Sequence, residues 1–319
     1  MRQGSQAGSD APAGGEGAGQ PAGPEPGARA VFELGAVRAG PLRPVVMAVV
    51  NRSANSFYAS SATAAEAVAA CARAAREGAG IVDIGGVRAG RGPAVSAAEE
   101  IDRVCPVVEA VAAELPDLVI SVDTYRHEVA EAAARAGARL LNDTWAGHDP
   151  RVAQVAGAHG IGLVCSHTGG LEPRTDAHRN RYGLCAADLL DDVEEGLAGL
   201  VAAARAAGVA PGRILIDPTP DFGKNTYQSL EVMRALPRLC AGELPVLLAI
   251  SRKDFIGEAA GVADPADRLP ATIAATALAI DAGVAVIRTH DAAATVQAID
   301  TVLAVRGIRP PRNAVRGLV

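Results

Sequence analysis

The sequence predicts a single-domain α/β protein of the (β/α)8, or TIM, barrel class. Three observations carry that prediction: eight short apolar runs recur along the chain, longer Ala-rich amphipathic segments separate them, and a polar residue stands at or near the end of each run. Short continuous runs rich in Val, Ile and Leu are what parallel strands buried on both faces require. The 319-residue length suits one barrel, since such barrels run to roughly 250 residues as one domain. An open doubly wound sheet is the competing architecture, and the lack of a Gly-x-Gly-x-x-Gly after the first run counts against it.

In order, the strand runs are VVMAVV (45–50), IVDIGG (81–86), LVISVD (118–123), RLLND (139–143), GLVCSH (162–167), ILIDP (214–218), VLLAIS (246–251) and VAVIRTHD (284–291). Helical-period segments lie between them, from TAAEAVAACARAAREG after the first to DAAATVQAIDTVLAV after the last. Several end on a glycine, as in REGAG, ARAGA, RAAGV and DAGVA, where a left-handed residue satisfies the last helical carbonyls.

Residues 1–40 read as a disordered Gly/Ala/Pro-rich extension, 41–308 as the barrel and 309–319 as a C-terminal tail. The first 29 residues hold no Val, Ile, Leu or Phe, so they bury too little to offset their ordering entropy. They also lack the apolar core of a signal peptide, and no later run gives 18 clean apolar residues. The expectation is a cytoplasmic protein with no membrane partner. A net charge of -6 argues against nucleic acid. Five scattered cysteines without a Cys-x-x-Cys support neither a zinc site nor a disulfide framework.

The polar residues near the strand ends are Asn51, Asp83, Asp123, Asn142, His167, Asp217, Ser251 with Lys253, and Arg288 with His290. In a barrel these ends converge on one face, where the sites of such folds lie. Any one alone reads as a cap of the following helix; the recurrence favours a shared site.

Asp123, Asn142, Asp217 and Lys253 would then face a mouth with apolar walls, where unpaired charges are costly and need partners. A direct Asp217–Lys253 pair is one solution. A flat heterocycle is the other: a carboxylate accepts two parallel N–H bonds from an amino-pyrimidinone, lysine donates to its carbonyl, and asparagine supplies one of each. Arg288 and His290 share a face by strand period. With the Asn51 carboxamide they form an anion and metal corner, suited to a phosphate leaving group carrying Mg2+.

At this point the chain resembles the dihydropteroate synthase family. The matching stretches are DIGG (83–86), ISVDT (120–124), LLND (140–143), DP with FGKN (217–225), SRK (251–253) and RTHD (288–291). The resemblance implies a (β/α)8 barrel that condenses a dihydropterin-methyl diphosphate with p-aminobenzoate in folate biosynthesis, sulfonamides competing for the acceptor site. It implies pterin-binding roles for Asp123, Asn142, Asp217, Phe222 and Lys253, and diphosphate roles for Asn51, Arg288 and His290, with Asn51 toward Mg2+. Catalysis would fall to Lys253, Arg288 and His290, by positioning and charge rather than by a protein nucleophile. A homodimer through the last helices is also implied.

The departures lie in the loops. The family's first loop reads Asn-x-Thr-Pro-Asp-Ser-Phe-Ser-Asp-Gly-Gly; here it is NRSANSFYASS, so Ser53, Ala54, Asn55 and Ala59 replace Thr, Pro and two Asp, while Phe57 stays. The second reads Gly-Gly-Glu-Ser-Thr-Arg-Pro-Gly and is GGVRAGRG here, with Arg91 one position from the expected arginine. Phe57, Arg91 and Arg252 are the acceptor-side candidates. Asp221 stands where a glycine is usual, placed to obstruct the ring or to turn away from it, and Ser166 where Met is usual. Together with NDTWAGHDP, HTGGLEPRT and RPPRNAVRGLV, these features resemble a divergent second-paralogue branch.

Three functions follow as expectations. One is a transferase of this type, weak on p-aminobenzoate or redirected to another amine, with weakened sulfonamide and sulfone binding. A second is a non-catalytic paralogue that holds pterin or diphosphate. The third, a pterin-using methyltransferase barrel, shares the Asp–Asn–Asp set but lacks the SRK and Arg-x-His signatures present here.

Overall fold

A computed structural model describes residues 30–52, 63–175, 181–183 and 185–316. The chain enters through a hairpin, β1 (Phe32–Leu34) and β2 (Val37–Ala39), paired antiparallel. Eight parallel strands follow: β3 (Val45–Asn51), β4 (Ile81–Gly85), β5 (Val119–Asp123), β6 (Leu140–Asp143), β7 (Gly162–Ser166), β8 (Ile214–Asp217), β9 (Leu247–Ala249) and β10 (Val286–Thr289). They are hydrogen-bonded in the order β8-β7-β6-β5-β4-β3-β10-β9, and a parallel bridge from Ile216 to Val246 closes the ring. Every predicted strand run lands on one of them, so the barrel is the fold and the open sheet is not.

The helices that face the strands are α1 (Ala64–Arg76), α2 (Ala97–Glu114), α3 (His127–Ala136), α4 (Arg151–His159), α5 (Ala186–Ala206), α6 (Thr226–Cys240), α7 (Asp254–Ala260), α8 (Leu269–Ala282) and α9 (Ala292–Val305). Their starts are chemically marked. Ser96 accepts from the Glu99 N–H, and Thr63 with Glu66 forms a reciprocal capping box. Gly137 and Gly283 end α3 and α8 with φ of +116° and +106°, which only glycine adopts without cost.

Two apolar layers follow from strand alternation. Outward residues such as Val82, Ile84, Val122 and Ile287 pack against the helices, while Met47, Ile81, Val119, Leu140, Val164 and Leu215 fill the interior. The hairpin belongs to that interior layer: Phe32 is fully buried and packs with Leu34 and Val37 in the same cluster. Burying such side chains contributes about 1.5–3 kcal/mol each.

The expected extension over 1–40 is therefore corrected at its C-terminal end. Two strands of three residues each are too short for a periodic signal, and their burial depends on the barrel they close. Residues 1–29 lie outside the described residues. Past α9, Arg309 and Arg312 both pair with Asp300, which ties the start of the tail to the barrel. Among the described residues, no helix is long and apolar enough to cross a membrane.

Candidate functional site

The strand ends meet at the mouth opposite the hairpin, with Asp83 at the centre of the polar network. Its side chain is fully buried. It accepts from Ser121 Oγ at 2.6 Å, Asn142 Nδ2 at 3.0 Å and Arg288 Nε at 2.7 Å. Arg288 reaches a second carboxylate, Asp123, through Nη2 at 2.8 Å, and Thr144 Oγ1 donates to the other Asp123 oxygen at 3.0 Å. Register explains the convergence, because Asp123 sits beside Asn142 on β6 and beside Gly85 on β4, whose own neighbour is Asn51 at the end of β3. Gly85 contributes no side chain to that row, so the Asn51 and Asp123 side chains flank an open position.

Charges in this confined space shift one another. Burial pushes the Asp123 carboxyl up to about 7 against the pull of Arg288, and Asp83 adds to the rise. Burial also opposes the Arg288 charge, but Asp83 and Asp123 outweigh it and its pKa moves up. A guanidinium shared by two acids is the arrangement that makes buried charges tolerable.

On the opposite wall the β8 loop folds over the mouth. Asp217 is buried, and its carboxylate accepts from the Thr219 N–H at 2.8 Å. Burial raises its pKa, with Lys253 opposing. The Lys253 ammonium donates to the Pro220 carbonyl and sits 4.8 Å from the centre of the Phe222 ring. Phe222 in turn meets Trp145 edge to face, with centroids 5.5 Å apart. Asp217 and Lys253 do not pair directly; each has its own partner in the loop. Burial lowers the Lys253 pKa, against Asp221 and Asp217.

Asp221 does not obstruct the ring position. Its carboxylate turns to the start of α7, where both oxygens lie 3.3 Å from the Phe255 N–H.

The remaining predicted residues separate into two groups. His290 is near the mouth, its backbone N–H donating to Ser251 Oγ and its Nδ1 also 3.2 Å from that oxygen. Burial, then Arg288, lowers its pKa to about 4, so the ring is neutral. Arg252 is committed elsewhere: it holds Asp291 through two bonds of 2.7 and 2.8 Å and donates to the carbonyls of Pro265 and Ala266. Arg91 is exposed. Phe57 and the replaced residues 53–59 lie outside the described residues. His167 faces away from the shared site, with Nε2 2.8 Å from Asp192 of α5. The long loop after β7 touches the second loop where Arg174 donates to the Pro93 carbonyl at 2.8 Å.

Two residues important to this architecture had no assigned role from sequence. Asp83 stands near a strand end in the sequence, yet its place as the hub depends on four strands. Lys224 is fully buried and donates to the carbonyls of His167, Thr219 and Phe222 at 2.9, 3.3 and 3.0 Å. Burial brings its pKa down to about 7. A signal was available: Lys224 and Lys253 are the chain's two lysines, and both end in this wall.

A closed (β/α)8 barrel with a paired cluster of acids, amide and cations at its mouth defines a small-molecule barrel. Comparison with known proteins narrows the class. The family model described as pterin binding enzyme matches residues 47–290. The Mycobacterium tuberculosis (strain ATCC 25618 / H37Rv) protein named inactive dihydropteroate synthase 2 is 46% identical over 278 residues, 86% of this chain and 87% of that protein. The Bacillus subtilis (strain 168) dihydropteroate synthase is 40% identical over 217 residues, 67% of this chain and 71% of that one. Among solved structures, a Yersinia pestis dihydropteroate synthase with a sulfonamide drug complex superposes with a TM-score of 0.79 at 31% identity, covering 88% of this chain and 100% of that chain. A Coxiella burnetii dihydropteroate synthase in complex with pteroic acid gives 0.75 at 32%, covering 84% and 94%. The chain belongs to the pterin-binding enzyme family, as a dihydropteroate synthase homologue.

Proposed function

We propose that the mouth binds a dihydropterin-methyl diphosphate and that its transfer to p-aminobenzoate is strongly impaired. The observation that carries this reading is an asymmetry. Asp123, Asn142, Asp217 and Lys253 are all present on the barrel rim beside Arg288, whereas the two acceptor loops have lost several of the family's typical residues, including three acids. In this reading Asp217, Asn142 and Asp123 meet the ring's N–H edges, the Asp123 carboxylate accepting while it also holds Arg288, Lys253 meets a ring carbonyl, and Phe222 and Trp145 form the wall.

Arg288, with the neutral His290 beside it, receives the diphosphate. Transfer would break the methylene C–O bond to diphosphate and form a C–N bond to an amine, with Arg288 offsetting the charge on the departing group. Asp83 and Asp123 are occupied by Arg288, so Mg2+ would come with the diphosphate, and Asn51 would contribute one carboxamide oxygen. The ion, when bound, neutralises the leaving group.

A weak or redirected transferase is the second reading, favoured by the retention of Lys253, Arg288 and His290. One assay separates the two. Protein, pterin-methyl diphosphate and Mg2+ are incubated with and without p-aminobenzoate, and diphosphate release is followed. The first reading expects calorimetric binding with no acceptor-dependent release. Rescue of a strain lacking its own dihydropteroate synthase would overturn it in favour of the second.

A homodimer fits the outward face of α8, where Pro270, Ala274 and Leu278 fall in line and Leu278 is 70% exposed. Light scattering on the eluted protein tests it. Sulfonamides should bind more weakly here than to the p-aminobenzoate-using relatives, because their pocket is the altered one.

A further inference from the structure

The β8 loop carries an unusual backbone. Thr219 and Asp221, on either side of Pro220, both have positive φ, at +48° and +68°. For a β-branched residue this is a strained conformation, and a residue preceding proline is already restricted. Local bonds hold the loop there. The Thr219 N–H and hydroxyl donate to Asp217 at 2.8 Å each, the Asp221 N–H donates to Ser229 Oγ at 3.0 Å, and the Asp221 carboxylate accepts from Phe255. The resulting arch presents the Pro220 carbonyl to the Lys253 ammonium.

Charge acts in the same direction. The strongest attraction on Lys253 comes from Asp221, ahead of Asp217, with Arg288 repelling and Asp254 attracting more weakly. Lys253 is in turn the strongest attraction on Asp221. A glycine at position 221 would adopt the same φ freely and bring no charge.

We propose that Asp221 is a positioning residue that holds Lys253 against the loop and so sets how tightly this mouth binds a pterin-type ring. The inference rests on the pterin reading above. A ring carbonyl must compete with the Pro220 carbonyl and with the field of Asp221 for the same ammonium. Asp221 itself stays at the start of α7 and acts through Lys253.

The test uses the full chain with Asp221→Asn and Asp221→Gly. Asparagine tolerates positive φ and keeps the side-chain shape without the charge; glycine also relieves the backbone. Two measurements are made: calorimetric titration with pterin-methyl diphosphate, and pH titration of the lysine Cε signals in 13C-lysine-labelled protein. With two lysines in the chain, Lys253→Met assigns the pair.

Both Asp221 variants should bind the pterin about tenfold more tightly, about 1.4 kcal/mol, and the Lys253 titration midpoint should fall because an attracting anion is gone. A folded Asp221→Asn protein with unchanged affinity and an unmoved midpoint overturns the proposal, and a change in urea midpoint alone marks Asp221 as merely structural. If no form, wild type included, binds the pterin, the pterin reading fails. The Lys253 midpoint then still decides whether Asp221 holds the ammonium.

Discussion

On the side of the mouth built by β4, β5, β6 and β10, the charged side chains are held by residues of neighbouring strands. Asp83 is bonded from β5, β6 and β10, and Asp123 from β10 and the residue after β6. The sequence segments that follow β3 and β4 carry the departures from the family pattern: Ser53, Ala54, Asn55 and Ala59 in one, VRAGRG in the other. The difference separates two kinds of constraint. A strand-end residue is placed by barrel register, and changing it leaves a buried partner unpaired. A residue of a connecting loop is not placed by strand register, so its replacement is expected to alter rate or acceptor affinity and to leave the barrel standing.

The strongest way to break this comparison is Arg288→Met. It leaves Asp83 and Asp123 buried without their shared cation, and removing one partner of such a group costs roughly 3–5 kcal/mol. Urea unfolding should show that loss, together with loss of pterin-diphosphate binding. A stability change within error would mean that the strand side is no more constrained than the loops.

The converse change restores the first loop through Ser53→Thr, Ala54→Pro, Asn55→Asp and Ala59→Asp. Orienting and charge-stabilising groups contribute about 10²–10⁴ in rate, so acceptor-dependent diphosphate release should rise by roughly a hundredfold or more while pterin affinity stays level. If affinity rises instead, the loop serves the pterin and the division is misplaced.

Asp217→Ala sharpens the strand side, and calorimetry should show pterin affinity falling by roughly ten- to a hundredfold, the value of one charge-assisted bond. Asp123 gives a pH signature. With its carboxyl raised to about 7, pterin affinity should climb about tenfold per pH unit below that value, as the accepting carboxylate forms.

Stability responds with the opposite sign. Asp143, also pushed by burial to about 7, keeps a proton in the folded state that the unfolded chain releases near pH 4. Folding stability should therefore fall as pH rises from about 4 to 7 and level off above, measured by urea midpoints. Arg91→Ala has the smallest expected effect, within about twofold in pterin affinity, because Arg91 is exposed on the altered side.

Much of this was legible in the sequence, and the reasons differ by element. The eight runs were readable because a strand buried on both faces must be continuously apolar. The rim residues were readable because a polar group interrupting such a run needs a cause. The SRK stretch shows the neighbourhood of Arg252 but not Asp291, which lies 39 positions away and pairs with the guanidinium. For Asp221 the sequence leaves open whether it obstructs the ring or turns away, and the structure takes the second course, with φ at +68° and the carboxylate at the start of α7. The hairpin was invisible because its burial comes from a barrel formed far downstream.

The sequence by itself determined the class of fold, the order of its units and which polar residues stand at or near the strand ends, because hydrophobic periodicity and helix stops are local properties of the chain. Only the tertiary structure decided who pairs with whom: Arg288 with two acids, Lys253 with a loop carbonyl, Arg252 with Asp291. Partner choice among buried charges depends on distances between segments up to 205 positions apart in the chain, and no local pattern encodes them.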